Sequence, residues 1–191
     1  VLRPCMLWND TRAETECTVF ERRFPQSRQI TGNIAMPGFT APKVLWVARH
    51  EADIFSQVRH VLLPKAWLRF RMTGDMIEDM SDASGTLWLD TGKRMWSDAA
   101  LECCGLRLQH MPELCEGTAA AGRLNADLAQ RWGMAERPVF AGSAGDNAAG
   151  TLGLGSVRAN ALFISPGTFW VALMAIDSYY LCGSAALRSL S

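Results

Sequence analysis

Residues 138–150 read Pro138-Val-Phe-Ala-Gly142-Ser-Ala-Gly-Asp146-Asn-Ala-Ala-Gly150, a short apolar segment followed by small residues around one carboxylate. Glycine has no Cβ, so a glycine-rich turn lets a ligand or another backbone segment approach closely. A carboxylate that opens such a turn after a strand is well placed to contact a substrate hydroxyl. An Asp-Asn pair among glycines is also typical of an ordinary turn. The stretch therefore predicts a strand and a turn, with Asp146 as a candidate functional carboxylate.

Working outward from this stretch, strand-like and helix-like segments alternate, which predicts an α/β layered domain. Predicted helices begin near Thr11, after Pro42 and at Lys65, and Ser97 and Asn125 are good N-caps for two more. Gly105 and Gly133 are suited to close those two helices. The predicted strands cover residues 1–8, 61–64, 86–89, 138–141 and 161–164, and those at 61–64, 138–141 and 161–164 are predicted to be buried. Residues 29–40 are predicted as a loop and residues 79–85 as a polar turn.

The composition excludes several classes of protein. Basic and acidic residues balance at 19 each, which gives no electrostatic footprint for nucleic acid or for an anionic membrane. No apolar run approaches the roughly 20 residues that span a bilayer, and the first residues lack the features of a signal peptide. The six cysteines and three histidines lack zinc-site spacing. We therefore predict a cytoplasmic enzyme with reduced cysteines and no metal site made by protein ligands alone.

Four polar or glycine-rich segments interrupt the apolar elements: residues 8–12, 38–46, 79–85 and the Asp146 loop. Each has an ordinary structural explanation as a turn, a helix start or a solvated helix face. Four such segments in one α/β chain nevertheless indicate a ligand site, because α/β folds bind ligands at the ends of their strands.

Together these segments resemble the FGGY family of sugar kinases, and within it the branch that acts on xylulose. The resemblance runs in order over residues 1 to about 160. The family signature G-x-T-x-x-K-x-x-W is matched by Gly38, Thr40, Lys43 and Trp46. The other matching stretches are Leu7-Trp-Asn-Asp-Thr-Arg12, Asp79-Met-Ser-Asp-Ala-Ser-Gly-Thr86 and Gly145-Asp-Asn-Ala-Ala-Gly150.

The resemblance implies an actin-like, ribonuclease-H-like ATPase fold, in which two α/β domains enclose sugar and ATP in a cleft. Residues 1–160 are then the later part of the N-terminal domain, and residues 161–191 its end with a divergent tail. For the sequence after about residue 176, a change of reading frame is one hypothesis. The chain begins with Val1 rather than Met, which suggests a piece of a longer protein.

The resemblance also implies roles for individual residues. Asp146 becomes the catalytic base, which accepts a proton from the terminal 5-hydroxyl of D-xylulose as that oxygen attacks the γ-phosphate of ATP, carried as its Mg²⁺ complex. The residues implied to bind the sugar are Trp8, Asp10, Arg12 and Asn147. Gly167 and Thr168 fall in the turn that contacts the ATP phosphates, although the adjacent Pro166, Phe169 and Trp170 depart from the family's small residues.

Alternatives stay open at this stage. The chain could come from another FGGY kinase, acting on ribulose, gluconate, fuculose or glycerol, or from a truncated, non-catalytic sugar-binding relic. The family's N-terminal phosphate loop, its Met-His sugar-binding segment and its second domain are not in this sequence. We therefore expect the parent enzyme, rather than the isolated chain, to phosphorylate a sugar. The expected partners are the sugar and ATP, with a homodimer left open.

Overall fold

Short strands and helices alternate along residues 1–166 and 170–177, the part of the chain that the computed structural model describes. The helices there are α1 (Glu14–Arg23), α2 (Ser27–Thr31), α3 (Thr40–His50), α4 (Ala52–Phe55), α5 (Pro64–Thr73), α6 (Met80–Ser84), α7 (Asp98–Cys103), α8 (Ala126–Arg131) and α9 (Asp146–Gly153). The strands are β1 (Ile77–Asp79), β2 (Leu89–Asp90), β3 (Met95–Trp96), β4 (Glu113–Cys115), β5 (Ala120–Arg123), β6 (Val139–Ala141), β7 (Leu162–Pro166) and β8 (Trp170–Met174). This alternation confirms the α/β class.

The strands associate in pairs, and one pair positions the candidate site. β1 and β4 are parallel, with Asp79 opposite Cys115. The pairs β2–β3, β5–β6 and β7–β8 are antiparallel. Because parallel strands end at the same edge, the residues that follow β1 and β4 lie side by side.

The hydrophobic core lies between the N-terminal helices and the segment around β2 and α7. Trp88, Phe20, Leu45 and Leu101 are among its largest fully buried side chains. Each of the buried hydrophobic residues in the described part of the chain falls between Met6 and Ala129. In the same part, no helix combines the length and apolar character needed to cross a membrane.

The helix ends follow the predicted capping chemistry. Ser97 Oγ accepts a hydrogen bond from the Ala100 N–H at 3.3 Å, and Asn125 Oδ1 accepts one from the Asp127 N–H at 2.9 Å. Gly105 and Gly133 lie in the left-handed region, with φ of 72° and 66°. This conformation costs glycine little, since it has no Cβ. These four capping predictions are confirmed.

Two predicted strands are wrong. Residues 1–8 form no strand: Pro4 has no N–H to donate to a ladder, and Arg3 instead pairs with Glu51. Residues 61–64 form no strand: Leu63 is extended as the N-cap of α5, and Pro64 occupies the first position of that helix, where the missing N–H costs nothing.

Helix boundaries also differ from the predictions. The helix expected after Pro42 begins earlier, at Thr40, and is divided at Glu51 into α3 and α4. The predicted loop 29–40 contains the end of α2, and the predicted polar turn 79–85 contains α6. Of the predicted strand 86–89 only the last residue is in a strand, because Leu87 has a φ of 67°, which interrupts an extended backbone.

The strands predicted at 138–141 and 161–164 exist, but the prediction that both of them are buried is wrong. Val139 is 48% exposed, and in β7 Leu162 is 59% exposed. Their apolar character therefore marks a surface of this chain rather than part of its core.

Candidate active site

Asp146 opens helix α9 directly after the glycine-rich loop that follows β6. Its side chain is exposed. Asp146 Oδ1 accepts hydrogen bonds from the Asn147 backbone N–H at 2.8 Å and from Asn147 Nδ2 at 3.3 Å. Within residues 1–166 and 170–177, no donor reaches Asp146 Oδ2. One carboxylate oxygen is thus oriented by Asn147, and the other is available to accept a proton.

The loop before Asp146 is fixed to two neighbouring segments. The Arg69 guanidinium, which is buried, donates to the Gly142 carbonyl and, at 2.8 Å, to the Ile77 carbonyl. The Ser143 N–H donates to the Gly117 carbonyl at 2.8 Å, with Ser143 in the left-handed region at φ 71°. These bonds tie the loop to α5, to β1 and to the turn after β4.

Gly142 leaves no space for a side chain. A Cβ at this position would lie 2.2 Å from the Glu116 carbonyl oxygen and 2.8 Å from Cys115 Sγ. Both distances are far below van der Waals contact, and the first involves backbone. The glycine that begins the loop is therefore required by close backbone approach.

Beside the loop, three carboxylates surround the ammonium group of Lys65. Lys65 Nζ lies 3.5 Å from Glu78 Oε1 and 3.1 Å from Asp82 Oδ2, and it forms an ion pair with Asp79. Burial alone would lower the pKa of Lys65, but the hydrogen bond to Asp79 and the charges of Asp82 and Glu78 raise it above its ordinary value. Lys65 therefore stays charged among the three carboxylates.

The carboxylates of this cluster differ in protonation. Burial, together with the neighbouring Asp82 carboxylate, raises the pKa of Glu78 to about 7. Burial also disfavours the charged form of Asp79, but hydrogen bonds from Lys65 and Ser81 hold the pKa of Asp79 below its ordinary value. Asp79 is therefore held in its ionised form, whereas Glu78 binds a proton more readily than an ordinary glutamate.

Glu78, Asp79 and Asp82 lie close enough together to be considered as ligands of a metal ion. However, the oxygens that face the centre of the cluster already contact the Lys65 ammonium. A divalent cation there would have to displace Lys65 and meet a positive charge. The cluster thus fits an internal cation, the Lys65 ammonium, better than a metal ion.

A second polar group lies at the start of the chain. Arg12 makes a two-pronged ion pair with Asp10, from Nε to Oδ1 at 3.0 Å and from Nη2 to Oδ2 at 2.9 Å. Hydrogen bonds from Arg12 hold the pKa of Asp10 below its ordinary value. The Arg12 guanidinium also lies 5.1 Å from the centre of the Trp46 ring. These contacts connect the segment before α1 to helix α3.

Trp8 adjoins this group in the sequence and is 57% exposed. Its backbone packs on Gly38, where a Cβ would lie 2.7 Å from the Trp8 carbonyl oxygen. Lys43, on α3, donates to the Met6 carbonyl at 3.4 Å, and burial lowers the pKa of its ammonium. An exposed indole beside a fixed Asp–Arg pair offers an apolar face and polar atoms, the combination that a sugar requires.

The structure brings the predicted residues together as two groups, Asp146 with Asn147 and Trp8 with Asp10 and Arg12. No hydrogen bond or ion pair within the described residues joins Asp10 or Arg12 to Asp146. The start of α3, which follows Phe39, is joined to the turn after α6 by a hydrogen bond from the Ala41 N–H to the Thr86 carbonyl at 3.0 Å. Gly167 and Thr168, predicted to contact ATP, lie outside the described residues.

Sequence reasoning missed Arg69 and Ser81, which bind the Asp146 loop, and Lys65, which pairs with Asp79 beside it. Arg69 and Lys65 contact partners distant in sequence, so no local pattern identifies them. For Ser81 the sequence carried a signal. Asp79 precedes a run of small residues, with Asp82 three positions later, and this N-cap pattern predicts a helix start whose second residue is Ser81.

Comparison with known proteins assigns the family. The model of the N-terminal domain of the FGGY family of carbohydrate kinases matches residues 1–153. The chain belongs to the FGGY family of carbohydrate kinases. Its actin-like α/β fold, as expected from the sequence, follows from that membership.

The relatives of this FGGY chain include two curated bacterial proteins. It is 53% identical over 189 residues to a xylulose kinase of Escherichia coli, covering 99% of this chain and 39% of the relative. It is 50% identical to a xylulose kinase of Klebsiella pneumoniae, with the same two shares of 99% and 39%. The FGGY chain therefore spans about two fifths of the length of these relatives.

Solved structures agree with the assignment. A xyloylose kinase from Brucella ovis superposes with a TM-score of 0.90 at 52% identity, covering 94% of this chain and 37% of the other. A glycerol kinase from Plasmodium falciparum, at 20% identity, has a TM-score of 0.79 over 91% of this chain and 36% of the other. The second likeness concerns the FGGY fold alone.

Proposed function

We propose that this chain is part of an ATP-dependent kinase that transfers the γ-phosphate of ATP to the terminal 5-hydroxyl of D-xylulose, giving D-xylulose 5-phosphate. The observation that carries the proposal is the exposed Asp146 carboxylate, which opens α9 on a loop fixed by buried contacts. Identity of 53% and 50% to two proteins named xylulose kinase supports the choice of sugar.

In the proposed reaction, Asp146 is the general base. The sugar oxygen forms a bond to the γ-phosphorus while the bond from that phosphorus to the oxygen bridging to the β-phosphate breaks, and ADP leaves. The proton of the sugar hydroxyl passes to Asp146 Oδ2, since Oδ1 already accepts two bonds from Asn147. Mg²⁺, entering with ATP, neutralises charge on the phosphates.

The sugar is proposed to lie between Asp146 with Asn147 on one side and Trp8 with Asp10 on the other. Arg12 acts there by holding the Asp10 carboxylate through its two-pronged ion pair. Gly167 and Thr168 are proposed to contact the ATP phosphates.

The test is the substitution Asp146→Asn in a chimera in which this chain replaces the segment that it matches in the Escherichia coli xylulose kinase. General-base catalysis of this kind typically contributes about 10²–10⁴-fold, so we expect kcat to fall by that factor while the Kd of D-xylulose stays unchanged. The matched control is Asp98→Asn, because Asp98 is also an exposed aspartate at the first position of a helix.

The outcomes separate the alternatives. A chimera that binds sugar but has no turnover even with Asp146 present would indicate a non-catalytic sugar-binding chain. Turnover retained by Asp146→Asn would refute the role of Asp146. A preference for ribulose, gluconate, fuculose or glycerol over D-xylulose would contradict the proposed sugar. Since the rest of the chimera comes from a xylulose kinase, such a change of preference would have to come from this chain.

A further inference from the structure

The contacts of helix α6 assign a role to a residue outside the substrate site, on the basis of the function proposed above. We propose that Ser81 is a positioning residue for Asp146, and that the Lys65–Asp79 ion pair fixes the Ser81 hydroxyl in the orientation that this role requires.

The Ser81 hydroxyl lies between two partners with opposite hydrogen-bonding character. Ser81 Oγ is 2.5 Å from Asp79 Oδ1 and 2.9 Å from the backbone nitrogen of Gly145. A carboxylate only accepts and a backbone N–H only donates. The hydroxyl therefore donates to Asp79 and accepts from Gly145, and only one hydroxyl orientation satisfies both bonds.

Asp79 is itself held at both of its carboxylate oxygens. Its Oδ1 also accepts from the Ser81 backbone N–H at 3.0 Å and from the Asp82 N–H at 3.2 Å, so that it caps α6. Its Oδ2 receives Lys65. Asp79 is only 1% exposed, and a buried carboxylate stays ionised only when it is paired and hydrogen-bonded. Lys65 supplies the charge that keeps Asp79 a pure acceptor.

Gly145 connects the Ser81 hydroxyl to the proposed base, Asp146. It is the N-cap of α9, and Asp146 is the next residue. The Gly145 N–H is thus the last backbone donor before the proposed base, and its bond to Ser81 spans 64 positions of sequence. In catalysis, displacement of a reacting group by about 1 Å can cost about 10²-fold in rate. A bond that fixes Gly145 to α6 therefore bears directly on turnover.

The experiment compares Ser81→Ala, Ser81→Thr and Ser84→Ala in the chimera described above. Ser81→Ala removes the hydroxyl and Ser81→Thr keeps it. Ser84→Ala is the matched control, since the Ser84 hydroxyl lies in the same helix and donates to the Ser81 carbonyl at 2.7 Å without contacting the Asp146 loop. We expect Ser81→Ala to lower kcat about 10–10²-fold with the Kd for sugar unchanged, and Ser81→Thr and Ser84→Ala to keep kcat within about threefold.

A second readout does not depend on turnover. Amide hydrogen exchange in the chain itself should show that the Gly145 N–H loses protection in Ser81→Ala. In Ser81→Thr, which keeps a hydroxyl, the same N–H should stay as protected as in the original chain. Equal kcat and equal Gly145 exchange in Ser81→Ala and Ser84→Ala would overturn the positioning role. That result would leave the function intact if Asp146→Asn is still inactive, whereas an active Asp146→Asn would refute the function itself.

Discussion

At the scale of single residues, the Asp146 loop depends on two glycines for different reasons. Gly142 is packed against backbone on the side where a Cβ would point. Gly145 has ordinary space around it: an added Cβ would lie 3.7 Å from Asp82 Oδ1 and 3.8 Å from Ser81 Oγ, at a φ of −62° that any residue adopts. The two glycines look alike in the sequence, but Gly142 admits no Cβ whereas Gly145 has room for one.

This contrast predicts the effect of adding a methyl group. Gly142→Ala should lower the free energy of unfolding by about 2–3 kcal/mol, because the backbone of Glu116 must move to admit the Cβ. Gly145→Ala should cost less than about 1 kcal/mol, reflecting only a poorer N-cap for α9. Urea denaturation of the two variants checks this, and equal losses of stability would show that the steric argument is wrong.

At the scale of elements, strand β1 ends in two consecutive acidic residues, Glu78 and Asp79, which both contact Lys65 on α5. The groups facing Glu78 are Lys65, Asp79, Asp82 on α6 and Cys115 on β4. Glu78 is 1% exposed, and its Oε2 has no hydrogen-bond partner among the described residues. A carboxyl in that environment favours the protonated form.

A pH dependence of stability follows. The pKa of Glu78 is raised from 4.5 to about 7 in the folded chain, so the folded state binds more protons than the unfolded state between these values. The free energy of unfolding should therefore fall by up to about 3 kcal/mol as the pH rises from 4.5 to 7, and level off above 7.

Denaturation curves between pH 5 and 8 measure this effect in two variants. Glu78→Gln, which is neutral at every pH, should remove the fall in stability. Glu113→Gln, an exposed glutamate on the paired strand β4, should leave it unchanged. The same slope in Glu78→Gln as in the original chain would contradict the assignment to Glu78.

Elements were predictable from the sequence where the determining interactions are local. The caps Ser97 and Asn125 and the left-handed Gly105 and Gly133 depend on residues within one helical turn. The strand at 1–8 was predicted wrongly because a strand needs a partner, and apolar character alone does not supply one.

The candidate site was only partly predictable for the same reason. The Asp146 motif is contiguous and could be found, and the family resemblance assigned its role. Lys65 and Arg69 reach their partners through the fold, so their contacts with Asp79 and Gly142 have no signature in the sequence.

At the scale of the whole molecule, the described chain divides into a part with a core and a part without one. The buried hydrophobic residues of the described part end at Ala129. Beyond that point large apolar side chains are exposed, and they are Trp132, Met134, Val139, Leu152, Leu154, Val157, Leu162, Ile164, Met174 and Ile176. The second part therefore gains little stability from burial within this chain.

Hydrogen exchange of the chain should show this division. Amides in residues 139–166 and 170–177 should exchange faster than those of α1, α3 and α7, because local stability follows the buried apolar contacts around each segment. Peptides from α7, which contributes Leu101 to the core, provide the protected reference. Equal protection in both parts would contradict the division.

The bonds that fix the Asp146 loop also affect the order in which the chain assembles. Ser81 is synthesised 64 positions before Gly145, and Arg69 is synthesised 73 positions before Gly142. At a synthesis rate of about 5–20 residues per second, Gly145 is made about 3–13 s after Ser81. Contacts of such long separation also tend to form late in folding. Helix α6 and Lys65 of α5 are thus synthesised first, and the loop bearing the proposed base joins them afterwards.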